Sequence, residues 1–195
     1  MLEVFGYISG IISVFCFLPY IRDILLKKTK PERASWLIWS VLGGIAFFSQ
    51  LAKGASYSLW MPGVQTFWVM LIFLLSLKFG VGGLSKRDLI ALTIAVFGLV
   101  LWHFTKEPAF ALFITIIVDA IGCFLTIMKV REDPKSETIS TWLLSGLSGV
   151  FAALAVGSFN FILLIYPIYI WLVNWSVVAV ILISSRRLLA TRKDQ

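Results

Sequence analysis

The chain of 195 residues is 59% hydrophobic and 14% charged, and its formal net charge is +7. Soluble domains carry roughly 25% charged residues, so this chain has too few polar side chains for a water-exposed surface, and we expect an integral membrane protein. The basic residues are scattered over several loops, which argues against a nucleic-acid interface. No catalytic motif or Cys/His spacing predicts an enzyme, a cofactor or a metal site.

Long apolar runs follow one another along the chain. Runs of about 17 to 25 residues can cross roughly 30 Å of hydrocarbon as helices, and the chain has room for about seven of them. We therefore predict an all-α integral membrane fold with seven transmembrane helices. The spans are placed at about residues 4–25, 34–52, 58–77, 88–104, 108–128, 139–157 and 160–184.

Two stretches, residues 15–40 and 122–146, resemble each other about a hundred residues apart. Each runs from the end of an apolar segment, through a charged loop that contains a proline, into a hydroxyl-Trp pair. The two pairs are Ser35-Trp36 and Thr141-Trp142. The correspondence continues to Pro62 and Pro167, which we expect at helix entries in the two halves. The chain is therefore predicted to contain a duplicated three-helix unit.

The duplication divides the chain into three parts. Residues 1–80 are expected to form the first three-helix bundle, 81–106 a linker helix, and 107–195 the second bundle with a basic tail. Because one linker span separates the halves, both units start on the same side of the membrane, which makes the repeats parallel.

Lysine and arginine concentrate on one side of the predicted spans. They fill the loops after spans one, three and five and the C-terminal tail, whereas Lys53 and Lys106 lie on the other side. Positive residues mark the cytoplasmic face, so we expect the N-terminus outside and the C-terminus inside. A bacterial inner (cell) membrane is the expected location.

The loops after spans one and five also carry helix-start signals. Thr29 and Glu32 have the spacing of a capping box, and Asp133 followed by Pro134 is typical of an N-cap with proline in the first turn. Each signal predicts the start of the next span.

This arrangement resembles the PQ-loop and SWEET-type (MtN3-like) superfamily, whose members join two triple-helix bundles through one linker helix. The Pro-Gln dipeptide of that family corresponds to Pro19-Tyr20 in the first half. The Trp36-x-x-Trp39 pair is similar to that of the bacterial nicotinamide riboside type transporters of the same fold. The resemblance implies a facilitator or proton-coupled transporter of a small polar metabolite, with alternating access about a midplane site and Pro19 at a hinge.

Of ten acidic residues, Asp119 alone lies near the middle of an apolar run. An ionised side chain there costs about 2.5 to 3.5 kcal/mol on insertion scales, so Asp119 needs a partner, a proton or water. Two interpretations stay open. The carboxyl either links neighbouring helices by hydrogen bonds, or it carries a coupling proton and contacts the substrate.

Asn174 lies near the middle of the last span. In SWEET-like sugar transporters an asparagine on this helix contributes to the central pocket, so the resemblance implies a substrate-binding role for Asn174. We expect Asp119, Trp39, Gln65 and Trp175 at the same site. Alternatively, Asn174 bonds a neighbouring helix and the tryptophans face lipid.

The expected partners are a small-molecule substrate, the lipid bilayer and further copies of the chain. A ligand-binding membrane receptor is an alternative function, because the same pocket could hold a ligand while the basic loops recruit a partner. An assembly subunit without transport is a further alternative.

Overall fold

The computed structural model describes residues 1–82, 86–105 and 107–193, which are helical apart from short connections. The helices are α1 (Leu2–Cys16), α2 (Leu18–Leu25), α3 (Arg33–Ala52), α4 (Trp60–Phe79), α5 (Lys86–Thr105), α6 (Pro108–Glu132), α7 (Ile139–Val156) and α8 (Phe161–Lys193). Single 3-10 turns cover Tyr57–Leu59 and Pro134–Ser136. The predicted all-α class is confirmed.

Six helical segments within the described residues are long and apolar enough to cross a membrane. They are Leu2–Leu25, Arg33–Ala52, Tyr57–Phe79, Leu112–Glu132, Ile139–Val156 and Phe161–Arg187. Large apolar side chains are exposed along these helices, as expected where lipid covers them. The predicted fourth span coincides with α5, which is helical but is not among the six, so the count of seven stays a prediction.

Prolines take different positions in the two halves. The first span is broken at Phe17, between α1 and α2, and Pro19 lies in the first turn of α2, where its missing N–H costs nothing. Pro62 lies in the first turn of α4, as expected. Pro167, however, lies inside α8 and not at a helix entry. It removes one backbone hydrogen bond from that helix.

The helix-start signals in the two basic loops do not cap the helices in the way that the sequence predicts. Glu32 caps α3, because its side chain accepts a hydrogen bond from the Ser35 N–H at 2.6 Å. The expected cap, Thr29, instead places its hydroxyl 3.1 Å from that of Thr138, so the capping-box prediction was wrong. Asp133 caps the short 3-10 turn that follows it, and α7 begins only after Thr138.

In each half of the chain, the helix of the third span packs between the helices of the first and second spans. In the first half α4 lies between α1 and α3, and in the second α8 lies between α6 and α7. Between the halves, α1 packs along α7, and α3 packs along α6. Helix α5 packs mainly on α6. The faces that meet between the halves therefore belong to α1, α3, α6 and α7.

Glycines allow the closest helix contacts. A Cβ on Gly149 of α7 would lie 2.8 Å from the Pro167 carbonyl oxygen and 2.9 Å from the Trp171 backbone nitrogen, both on α8. A Cβ on Gly43 of α3 would lie 2.7 Å from the Thr66 hydroxyl oxygen on α4. Such small residues let helix backbones approach each other where no hydrophobic effect drives them together.

Charged pairs lie at the two ends of the helices. Lys53 and Glu107 approach to 2.6 Å, and the Lys53 hydrogen bond holds the pKa of the Glu107 carboxyl below its usual value. At the opposite end Lys129 pairs with the buried Glu137, which also accepts a hydrogen bond from the Trp142 indole at 3.0 Å. The exposed Lys53–Glu107 pair contributes little stability, whereas the buried Glu137 depends on its partners.

Candidate functional site

One cavity lies between the two halves of the chain and contains about 690 Å³ of space, part of it open to the outside. Its described lining residues come from the three spans of each half: Phe17, Trp36, Trp39, Gly43, Gln65, Thr66, Val69, Asp119, Cys123, Thr141, Trp142, Ser145, Tyr166, Ile170, Val173 and Asn174. Small-molecule sites are mostly apolar with a few polar groups, and the lining of this cavity has that character.

Asp119 reaches this cavity from α6 and is held by α8. The Tyr169 hydroxyl donates a hydrogen bond to the Asp119 Oδ2 atom. Tyr166, one turn earlier on α8, lines the cavity beside the carboxyl. No salt bridge in the described part of the chain includes Asp119. Within that part of the chain, the carboxyl therefore has a hydrogen-bond partner but no neutralising cation.

Three indole rings form one wall of the cavity. Trp36 and Trp39 of α3 lie edge to face, with ring centroids 5.2 Å apart, and Trp39 and Trp142 of α7 lie edge to face at 6.0 Å. Trp36 and Trp39 share a helix face because residues three apart are neighbours on a helix. Gly122 of α6 makes room for this wall, since a Cβ there would lie 2.8 Å from the Trp39 Nε1 atom.

Gln65 lines the cavity and also joins the two halves. Its side-chain amide on α4 donates to the hydroxyls of Ser145 and Ser148 on α7, at 3.0 and 2.8 Å. The Ser9 hydroxyl of α1 donates to the Ser148 carbonyl oxygen at 2.8 Å. The described hydrogen bonds of Gln65 thus join α4 to α7, and its side chain also lines the cavity.

Asn174 is 7% exposed and lines the cavity from α8. Its amide Nδ2 donates to the Ile170 carbonyl oxygen, one turn earlier on the same helix, at 2.8 Å. This bond fixes the side-chain orientation but uses only one of the two amide N–H groups. A donor and the amide oxygen therefore remain for other partners.

Trp175 lies outside the cavity. Its side chain is 40% exposed, and its indole N–H donates to the Leu143 carbonyl oxygen of α7 at 3.3 Å. The structure thus brings Asp119, Trp39, Gln65 and Asn174 together, as grouped from the sequence, and separates Trp175 from them.

Several lining residues were not in the predicted set. Trp142 and Thr141 were noted only as landmarks of the repeat, and Trp36 as a landmark and as the partner of Trp39 in the Trp36-x-x-Trp39 pair. Because Trp142 is the repeat equivalent of Trp36, which lies one helical turn from Trp39, the repeat could have placed Trp142 at the site. Tyr169 gave no signal of its own, because its role depends on how α8 is rotated relative to α6.

Three lining groups have no hydrogen-bond partner within the described residues: the Trp39 indole Nε1, the Thr66 hydroxyl and the Thr141 hydroxyl. A buried polar group without a partner costs about 1–3 kcal/mol. The three residues line the cavity, but these atoms themselves are buried: the Trp39 Nε1 atom lies beside Gly122 of α6, and the Thr66 hydroxyl lies beside Gly43 of α3.

The basic-loop ends of the two halves are also joined. The Thr138 hydroxyl donates to the Asp23 Oδ2 atom at 2.9 Å and lies 3.1 Å from the Thr29 hydroxyl. These contacts connect the end of α2 and the loop after it with the start of α7. They are short polar contacts that a separation of the two halves would break.

Among the residues that the structure describes, no group of three or more His, Cys, Asp or Glu side chains is placed to hold a metal ion. Comparisons with protein-family models, curated proteins and solved structures found no match. The function must therefore be argued from the cavity and the helix packing.

Proposed function

We propose that this protein is a membrane transporter that moves a small polar metabolite by alternating access about the cavity between its two halves. The observation that supports this most is the cavity itself. It combines an intramembrane carboxyl with indole walls and polar side chains that have no partner among the described residues, and its lining comes from both halves. Ionisable residues inside membrane spans mark substrate or ion pathways.

The packing order supports a pair of parallel repeats. Each half places its third helix between the first two, and the contacts between halves, α1 with α7 and α3 with α6, correspond under exchange of the halves. A pseudo-twofold axis along the membrane normal accounts for this pattern. Rocking of the halves about the break before Pro19 would then open the cavity alternately to the two sides.

The same arrangement predicts the topology of the chain. A reporter fused after Gln195 should be cytoplasmic and one placed before Glu3 should be external, because the basic loops face the cytoplasm. Accessibility of each reporter to a membrane-impermeant label measures this. Both reporters on the same side would contradict the odd number of spans and the parallel repeats.

Replacing Asn174 by Ala should weaken ligand binding without loss of folded protein. The removed amide provides hydrogen bonds worth about 0.5 to 1.5 kcal/mol each. Affinity can be measured calorimetrically with a ligand found by a thermal-shift screen, because a ligand stabilises the native state by mass action.

The matched control is Asn160→Ala. Asn160 caps the start of α8, where its Oδ1 atom accepts from the Ile162 and Leu163 N–H groups, so this change should lower stability but not affinity. Equal affinity of the Asn174→Ala variant and the unchanged protein would move the site away from Asn174.

Flux of a bound ligand into proteoliposomes tests the transport proposal against the receptor and assembly-subunit alternatives. Only a transporter moves the ligand across the membrane.

A further inference from the structure

The three indoles of the cavity wall meet at steep angles, and the Trp36 ring also contacts the rings of Phe17 and Tyr20, with centroids 6.4 and 5.0 Å away. Trp36 and Trp39 have an interplanar angle of 88°, and Trp39 and Trp142 have one of 75°. Nearly perpendicular rings enclose a corner, whereas a flat ligand is held best between parallel rings. Aromatic corners of this kind bind quaternary and substituted ammonium groups, whose positive charge is attracted to the ring faces.

The charge of the cavity has the matching sign. Asp119 is the carboxyl among the described lining residues, and these include no lysine, arginine or histidine. The Asp119 Oδ2 atom accepts from Tyr169, and the structure gives the Oδ1 atom no donor among the described residues. A ligand cation would find one carboxylate oxygen available, and an anion would find no positive partner among the described lining residues.

No cation among the described residues of the neighbouring helices pairs with this carboxyl. Among the described residues, the titratable groups that face it are Tyr166 and Tyr169 of α8 and Cys123 of α6. Arg33 of α3 is engaged elsewhere, since it donates to the Ser76 and Gly82 carbonyl oxygens. On α5 the described charged side chain is Lys86, exposed at the start of that helix.

Resting on the proposed transport function, we propose that the substrate carries a small alkylammonium group, which the Trp36–Trp39–Trp142 corner encloses and the Asp119 carboxylate neutralises. The carboxylate cannot bind a proton and an ammonium group at once. Substrate and proton therefore compete for Asp119 and exchange across the membrane.

Matched ligands test the charge requirement on the unchanged full-length protein. Choline has the proposed head group, 3,3-dimethylbutan-1-ol is its uncharged isostere, and glycine betaine adds a carboxylate to the same trimethylammonium group. We expect choline to bind at least about 30-fold more tightly than the isostere, as follows from losing a buried charge pair. Glycine betaine should also bind more weakly, because no cation in the described lining meets its carboxylate. Equal binding of choline and the isostere, or binding of neither, overturns the proposal.

Variants test which residues make the contact. Asp119→Asn should abolish the preference for choline over the isostere, and Trp39→Leu should weaken choline binding about two- to thirty-fold through the lost cation–π contact. Trp60→Leu is the control, because Trp60 is 49% exposed and lies outside this cavity. If a variant does not fold, the ligand comparison on the unchanged protein decides alone. A preference for choline that survives Asp119→Asn contradicts the role of the carboxylate.

Competition between choline and a proton for Asp119 can be measured separately. Choline binding should release protons, which calorimetry in buffers of different ionisation enthalpy measures, and this release should disappear in Asp119→Asn. Choline binding without choline flux would contradict transport and leave the ammonium site standing. Flux of an uncharged metabolite without choline binding would contradict the ammonium site and leave transport standing.

Discussion

Uptake driven by a pH gradient is expected to fall to background when Asp119 is replaced by Asn. The amide has nearly the same shape, and its oxygen can still accept the Tyr169 hydroxyl, so the helices should assemble as before. It cannot take up or release a proton at any relevant pH. Exchange of saturating substrate at equal pH needs no net proton transfer and should persist. Both rates can be measured in proteoliposomes loaded with substrate.

Two further variants make this result interpretable. Asp133→Asn changes a carboxyl in the exposed loop before α7 and should leave the response to pH intact. Tyr169→Phe removes only the hydroxyl that holds Asp119, so it should shift the pH dependence without abolishing it. Should the Asp119→Asn variant keep its full response to a proton gradient, Asp119 is a structural link between α6 and α8, and coupling lies elsewhere or is absent.

The second large effect is expected on folding. Gly149→Ala places a methyl group 2.8 Å from the Pro167 carbonyl oxygen and 2.9 Å from the Trp171 nitrogen. Both are backbone atoms, so α7 and α8 must move apart, and overpacking of this kind costs about 1–3 kcal/mol. Pro167 adds to the effect, because α8 already lacks one backbone hydrogen bond there. The melting temperature and the yield of monodisperse protein should both fall.

Gly44→Ala is the matched control, since a Cβ at Gly44 has no atom within 4 Å. Alanine also favours a helix more than glycine does, by about 0.5–1 kcal/mol, so this variant should be as stable as the unchanged protein or slightly more. Equal melting temperatures for the Gly149→Ala and Gly44→Ala variants would show that α7 and α8 do not approach as closely as described.

Hydropathy and length were sufficient to place the helices. Each apolar run became a helix close to its predicted position, because a segment in lipid must satisfy its backbone hydrogen bonds internally. The grouping of Asp119, Trp39, Gln65 and Asn174 was also accessible from the sequence. Polar or amphipathic residues in the middle of long apolar runs are costly toward lipid, and this favours positions that face other helices.

The sequence did not allow us to predict how each helix is rotated about its own axis. Asn174 and Trp175 are neighbours in sequence but about 100° apart around α8, and only Asn174 faces the cavity. Around Asn174 and Trp175, α8 is apolar on nearly all sides, so no amphipathic pattern indicated which residue faces inward. The same applies to Tyr169, whose contact with Asp119 depends on the rotation of two helices.

Tertiary contacts also replaced the helix-capping hydrogen bond that was expected of Thr29. Thr29 has the spacing of a helix cap, yet its hydroxyl lies beside Thr138 in the other half of the chain. Glu32 caps α3 instead. Contacts between residues so distant in sequence depend on how the halves pack, which the local pattern does not contain.

The most direct test of transport is counterflow. Proteoliposomes loaded with unlabelled ligand, chosen as the strongest stabiliser in a thermal-shift screen, are diluted into a trace of the same ligand in labelled form. We expect rapid, saturable accumulation of label that empty liposomes do not show. A ligand that stabilises the purified protein but never accumulates inside the proteoliposomes would contradict transport and favour a receptor.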